Sequence, residues 1–199
     1  MSYRGFKKNR YGSVMFNRAF LSLKDSIRDP NLKVEEDDLT VTIKDKFPKA
    51  KHHYLIMPKD DINNIQQLRA DQHLHLVKHL HQRAQELIDR IQGKNDDQGK
   101  LEFRIGYHAI PSMTPLHVHV ISQDFNSDCL KTKKHWNSFT TSFFLLSTNI
   151  IQELERKKSI SLNKELYQSF LASPLQCHKC KYSPKHMPDL KQHLKSQHA

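Results

Sequence analysis

Two histidines stand one residue apart in Pro115-Leu116-His117-Val118-His119-Val120-Ile121, alternating with aliphatic residues. Successive side chains of a β-strand point to opposite faces, so His117 and His119 share one face while Leu116, Val118 and Val120 turn towards a core. Just upstream, Gly106-Tyr107-His108-Ala109-Ile110-Pro111-Ser112-Met113-Thr114 carries a third histidine and a serine before a proline-punctuated turn. Further back, Lys51-His52-His53-Tyr54-Leu55-Ile56-Met57-Pro58 is another strand pattern with histidine at its start. Histidines converging from separate strands point to phosphoryl or nucleotidyl transfer. There imidazole can serve as nucleophile, as general acid, or as a hydrogen-bond donor to phosphate oxygens.

A second constellation closes the chain. Cys177-x2-Cys180-x12-His193-x4-His198 has the spacing of a Cys2His2 zinc finger. Leu190, three residues before His193, is the expected core residue, and Pro188 to Leu194 the helix that delivers the histidines. His178 and His186 are the rival ligands, and His198 is penultimate in the chain. Zinc here is expected to be structural, because so small a module has little core without it. The remaining cysteine, Cys129, has no partner in the count, which argues against a disulfide framework.

The segment from Leu116 to Ile121 resembles the end of the His-φ-His-φ-His-φ-φ pattern of the histidine-triad family of nucleotide hydrolases and transferases. Asp45 to Lys51, Gly106 to Met113, Val120 to Phe125 and Lys133 to Phe139 resemble the branch of that family that removes adenylate from DNA 5′ ends. The likeness runs from about residue 20 to the end, finger included. It departs at the first histidine of the pattern, which is Pro115 here, and that puts the hydrogen-bond network behind the site in question rather than the attacking residue.

The resemblance implies an α+β histidine-triad fold with an antiparallel sheet and flanking helices, plus the finger. It implies that His117 attacks phosphorus and forms a covalent AMP-histidine. His119 would donate to the α-phosphate, with His53 assisting, and His108 and Ser112 would contact the leaving group. Asp45 would accept from ribose hydroxyls, Lys49 would hold the conformation of the pocket, and Ile43 and Leu23 would face adenine. No metal is expected in catalysis. The partner would be DNA with an adenylated 5′ end, the product AMP, the location the nucleus and the assembly a monomer. Two alternatives remain at this point: a small-molecule dinucleotide or nucleoside-phosphoramidate hydrolase, and a non-catalytic DNA-end binding protein.

The elements that must position these residues can be read from periodicity. Phe16, Phe20, Leu23 and Ile27 lie at helical spacing over residues 14–28, ended by Asp29-Pro30. Leu39 to Lys44 and His53 to Met57 alternate as strands. Asp71 to Ile91 is a long amphipathic helix with Leu74, Val77, Leu80, Ala84, Leu87 and Ile91 on its buried face; its histidines, His75 and His79 included, are read as surface residues. Leu101 to Tyr107 and Leu116 to Ser122 are further strands, and residues 137–171 look helical. Strands, one long helix, then strands fit an antiparallel α+β domain. The expected organisation is a basic arm over residues 1–13, a catalytic domain over 14–172 and the finger over 173–199.

Charge agrees with a polyanionic partner. The 199 residues are 37% hydrophobic and 27% charged, with a net charge of +11. Residues 1–28 hold seven Lys or Arg against one acid, and residues 157–199 eight Lys against two acids, so the middle is nearly neutral. Two basic ends around a neutral body suggest nucleic acid gripped from both sides of a site. The DNA-contacting residues expected are Lys133, Lys134, Lys181, Lys185 and Lys191, with Phe20 stacking on a base at the DNA end. No apolar run approaches the roughly 18 residues of a membrane span, and Met1 to Lys8 lacks a signal-like apolar region, so an intracellular, membrane-free protein is expected.

Overall fold

The computed structural model describes residues 23–93 and 101–198. Phe20 and the basic arm lie outside the described residues, the first element of which is α1 (Leu23–Arg28).

Six strands form one antiparallel sheet: β1 (Lys33–Glu36), β2 (Thr40–Lys44), β3 (His53–Pro58), β4 (Phe103–His108), β5 (Val118–Ser122) and β6 (Phe144–Leu146). Their order is β1-β2-β3-β5-β4-β6, so the histidine-bearing strand β5 is central. Register sets which side chains share a face. Leu55 lies opposite His119 and His53 opposite Ile121 on one side, while Gly106 lies opposite His119 and Arg104 opposite Ile121 on the other.

The alternate face, carrying Ile56, Tyr107, Val118 and Val120, is sealed by α2 (Ala70–Gly93) and α4 (Ser147–Lys157) in the main core. Leu76, Val77, Leu80, Ala84, Leu87 and Ile91 are the buried residues of α2, and Leu74 packs partly buried against the same core, so the face is the one expected from its period with Leu76 added. The histidine face is divided in three. At one end Leu23 of α1 packs with Val41, Ile43, Leu55 and Met57. At the other, α3 (Lys133–Thr140) supplies Trp136 and Phe139 to a cluster with Ile121, Phe125 and Phe144. The imidazoles occupy the middle.

Two strands escape the sequence reading. β1 is a four-residue edge strand, Lys-Val-Glu-Glu, with no buried residue and a register shift between Lys33 and Glu35, so it carries no alternation to read. β6 has three residues inside the stretch read as helical, and its aromatic and leucine residues suit either state. That stretch is therefore α3, β6, α4 and then α5 (Lys164–Ala172), followed by the finger helix α6 (Met187–Gln197). No helix among the described residues is long and apolar enough to cross a membrane.

Candidate active site and zinc centre

His53, the first residue of β3, His108, the last of β4, His117, just ahead of β5, and His119, the second residue of β5, meet on the middle of the sheet. The His117 and His119 rings are 4.8 Å apart, those of His108 and His119 4.3 Å, and those of His53 and His119 5.2 Å. The ring of Phe139 stands edge-on to His53 and His119 at 5.3 and 5.2 Å and lies 4.7 Å from His108. The sequence reading passed over Phe139, because nothing in its helical spacing distinguishes it from any core aromatic residue.

A neutral imidazole has one donor and one acceptor nitrogen, so each hydrogen bond fixes the role of the other atom. His117 Nδ1 lies 2.9 Å from the carbonyl oxygen of Pro115, which can only accept. Nδ1 therefore carries the hydrogen, and Nε2 presents a lone pair that bonds to no described residue. The acceptor is a backbone atom, so proline at the first position of the pattern leaves this interaction intact.

A second chain of bonds runs from the β2–β3 loop. The backbone N–H of Lys49 donates to His53 Nδ1 at 3.1 Å. His53 Nε2 must then carry a hydrogen, which it donates to His119 Nδ1 at 3.0 Å. His119 Nε2 is left protonated, buried and without a partner, and Nε2 of His108 is likewise buried and without a partner. Buried unpartnered polar atoms are costly, and here two cluster beside a free lone pair, which suits a ligand rich in oxygen. Asp45, His53 and His119 also bring ligand-type atoms within 4.8 Å of one another. Both nitrogens of His53 and Nδ1 of His119 are already committed in the bonded chain.

Burial sets the protonation state. Desolvation depresses His53 to about 4, against the opposing pull of Asp45, whose carboxylate lies 3.4 Å from Nδ1. It pushes His108 and His119 well below the ordinary imidazole value, helped by the neighbouring histidines and Lys49. His117 is lowered by desolvation too, although the Pro115 carbonyl and Asp45 act the other way. All four rings are neutral at pH 7, as a nucleophile and neutral donors require.

The remaining expected residues are distributed around this centre. Asp45 borders His53 and also accepts from Phe47 N–H. Lys49 turns its ammonium back to the carbonyl of Phe47. Ile43 and Leu23 are buried in the apolar cluster that includes Leu55, the cross-strand neighbour of His119. Ser112 is exposed on the β4–β5 loop and makes no hydrogen bond to the four histidines. Lys134, Lys181 and Lys185 are exposed. Lys133 donates to the Ala172 carbonyl, and Lys191 to the Ser127 carbonyl at 2.8 Å, so both cations also tie the tail to the body. His79 bonds Asp37 at 2.9 Å rather than joining His75.

Gly106 is a further missed position, though the sequence did signal it. A Cβ there would lie 2.3 Å from the Leu145 carbonyl oxygen and 2.6 Å from the Phe144 ring. A glycine within a strand pattern marks such close approach.

In the tail, the ligand atoms of Cys177, Cys180, His193 and His198 all lie within 4.8 Å of one another. Cys180 Sγ is 3.2 Å from His193 Nε2, and Nε2 of His198 is buried without a partner. Two sulfurs and two imidazoles so disposed fit tetrahedral zinc. The rival ligands are otherwise engaged. His186 Nδ1 accepts from Asp189 N–H at the start of α6. His178 Nε2 lies 3.0 Å from the Gln123 carbonyl, with its ring against Phe125 and Trp136. Leu175, Cys177, Met187, Leu190 and Leu194 belong to the same apolar cluster as Phe139. Trp136 Nε1–H donates to the Gln176 carbonyl, and the Asn137 amide to those of Leu171 and Ser173. The finger is fused to the sheet, not tethered to it.

Comparison with known proteins agrees with this geometry. The family described as "Scavenger mRNA decapping enzyme C-term binding" matches residues 20–135, and "C2HE / C2H2 / C2HC zinc-binding finger" matches residues 140–198. The chain is 47% identical over 173 residues to aprataxin of Gallus gallus, covering 87% of this chain and 53% of that protein. It is 49% identical over 174 residues to aprataxin of Ciona intestinalis, covering 87% and 44%. It thus spans about half the length of these curated relatives. The aprataxin ortholog Hnt3 from Schizosaccharomyces pombe superposes with a TM-score of 0.70 at 26% identity, covering 90% of each chain. Hnt3 in complex with DNA and guanosine superposes with a TM-score of 0.68 at 28% identity, covering 88% of this chain and 93% of that one.

Proposed function

Because the chain belongs to the histidine-triad family of the scavenger decapping-enzyme type, with aprataxins among its relatives, we propose that it is a DNA 5′-adenylate hydrolase acting in strand-break repair in the nucleus. The observation that carries this reading is the pre-set pattern of tautomers: one bare imidazole lone pair beside two buried, unpartnered nitrogens.

The substrate is DNA whose 5′-phosphate is joined to AMP through an anhydride, as an abortive ligation leaves it. Nε2 of His117 attacks the α-phosphorus, forming a P–N bond as the anhydride P–O bond breaks. The electron pair of that bond leaves on the DNA 5′-phosphate. Negative charge builds on the non-bridging oxygens, and the buried His119 Nε2–H donates to it. His108, neutral at pH 7, offers a hydrogen bond to the departing phosphate rather than a full proton. A phosphate monoester, whose second pKa is about 6, is a stable enough anion to leave that way. Water then attacks the AMP-histidine, releasing AMP and restoring the His117 lone pair.

Asp45 suits the ribose hydroxyls, and Leu23 and Ile43 are assigned to adenine. Zinc holds the finger and takes no part in the chemistry. The two basic ends and the fused finger support a polymeric substrate over a small dinucleotide, which needs neither. Adenylated nicked DNA, incubated with the protein, should yield AMP and a ligatable 5′-phosphate. Cleavage of small adenylated compounds alone would overturn the reading.

A further inference from the structure

Apart from the histidine pocket lies a groove of about 740 Å³ between the edge of the sheet, α3, α5 and the segment entering the finger, a volume suited to a nucleotide-sized ligand. Arg104, Phe144, Asn149, Tyr167, Phe170 and Gln176 are on its walls.

Three features give the groove a chemistry. The first is a cation outside any close ion pair among the described residues. Arg104 is half-buried, spends one nitrogen on the Phe139 carbonyl at 3.0 Å and lies 5.2 Å above the Phe144 ring. The carboxylate that acts on it, Glu102, is exposed and lies two residues back along the chain. A half-buried guanidinium with donors to spare recognises phosphate. The second is an aromatic platform. α5 has no buried residue, and on it Tyr167 and Phe170 meet edge to face at 5.9 Å, both half-exposed towards the groove. The third is a set of amides, Asn149 and Gln176, both exposed and able to donate and accept as a base edge requires. One phosphate-binding cation, one stacking surface and paired amides describe a nucleotide.

We propose that this groove is a second nucleic-acid site that holds one unpaired nucleotide of a DNA strand, its phosphate on Arg104 and its base against Tyr167 and Phe170. The groove shares a wall with the catalytic centre, since the Phe144 ring lies 6.1 Å from His108 and 6.2 Å from His119. A strand unpaired next to the processed end can therefore enter it while the 5′ terminus lies at His117. Lys133, bonded to the Ala172 carbonyl beside the groove, adds positive charge at its rim. The assignment of the strand to the DNA being processed rests on the function proposed above; the groove's affinity for an unpaired nucleotide does not.

The test uses the zinc-loaded protein and a single-stranded oligonucleotide carrying 5-iododeoxyuridine. Photocrosslinks should map to α5, at Tyr167 or Phe170. In parallel, binding is measured on a nicked duplex with and without a short unpaired flap. The flap should tighten binding, and Tyr167→Ala, on an exposed helix, should remove about five- to ten-fold of that gain, as loss of one stacking partner predicts. The same variant should cleave a small adenylated compound at the unmodified rate. Millimolar deoxynucleoside monophosphate should compete with the flap only weakly if the groove takes a strand, and strongly if it takes a free nucleotide, which would overturn the strand assignment. Crosslinks confined to the histidine pocket, or no flap effect, would overturn the groove itself. Crosslinks to α5 in a protein that fails to remove adenylate would leave the groove standing and sink the catalytic reading.

Discussion

At the scale of the residue, reactivity resides in which nitrogen of each imidazole holds its hydrogen. His117→Ala should abolish adenylate removal while leaving DNA affinity within a few-fold, since nucleophile loss costs many orders of magnitude in rate. An AMP adduct trapped on another residue, or normal turnover by the variant, would remove His117 from that role. His53→Phe keeps the buried ring shape but deletes the donor to His119 Nδ1, freeing His119 to adopt the wrong tautomer. We expect kcat to fall by about 10²- to 10³-fold, the cost of one donor to a developing oxyanion, with KM nearly unchanged. Acid should act through the same atoms. Burial lowers the pKa of His117, so the ring is neutral above that lowered value and is protonated only as pH falls through it. kcat/KM should therefore stay flat from pH 7.5 down through 6.5, where an ordinary imidazole has lost half its base form, and decline only below. A midpoint at or above 6.5 would contradict the buried, neutral nucleophile. The residue types and their alternation were legible in the sequence. The relay from Lys49 N–H was not, because a backbone donor leaves no mark on residue identity.

At the scale of the element, the sheet is a jig that holds four rings in register, and its tightest point is Gly106. Gly106→Ala would drive a methyl group into the Leu145 carbonyl and the Phe144 ring. Because the former is backbone of β6, the strand must shift. We expect a loss of about 1–3 kcal/mol of stability, read as a lower Tm, and slower turnover as Phe144 moves against His108 and His119. Unchanged Tm and rate would mean β6 yields without cost. The N-terminal helix is expected to contribute the aromatic wedge. Stacking is worth roughly 1–3 kcal/mol per base, so Phe20→Ala should slow cleavage of nicked duplex by about ten- to a hundred-fold and of a small adenylated substrate far less. Equal slowing would make Phe20 a packing residue and Phe16 the next ring to replace. Long periodic elements, α2 above all, were legible because a wide apolar stripe repeats over 24 residues. β1 and β6 were not: the former pairs through backbone alone, and the latter is too short for any period to show.

At the scale of the whole molecule, the catalytic sheet and finger are one body. The spacing of the cysteines and histidines suggested a separable module, whose loss would weaken DNA binding and spare small substrates. The cluster that joins Leu190 and Leu194 to Trp136 and Phe139 changes that expectation, because Phe139 also packs against three of the four imidazoles. Cys180→Ala, at an exposed ligand, should cost zinc and lower the Tm. It should also reduce hydrolysis of a small adenylated compound several-fold, beyond its effect on DNA affinity. Intact small-substrate turnover in zinc-free protein would show that the shared core survives without the metal. Sequence spacing identified the ligands but could not reveal this coupling, since it depends on tertiary contacts between segments some fifty residues apart, such as His178 with Gln123.

The two margins of the sheet carry a consequence of their own. On one side β1 offers four residues, three of them charged, with its register broken by a shift; on the other, β6 runs for three residues before the chain turns into α4. Charge, irregularity and brevity are the devices by which β-proteins refuse to recruit a neighbour's backbone. The protein is thereby protected from stacking edge to edge into insoluble ribbons. Neutralising Lys33, Glu35 and Glu36 together would strip that protection and leave β1 open to self-association.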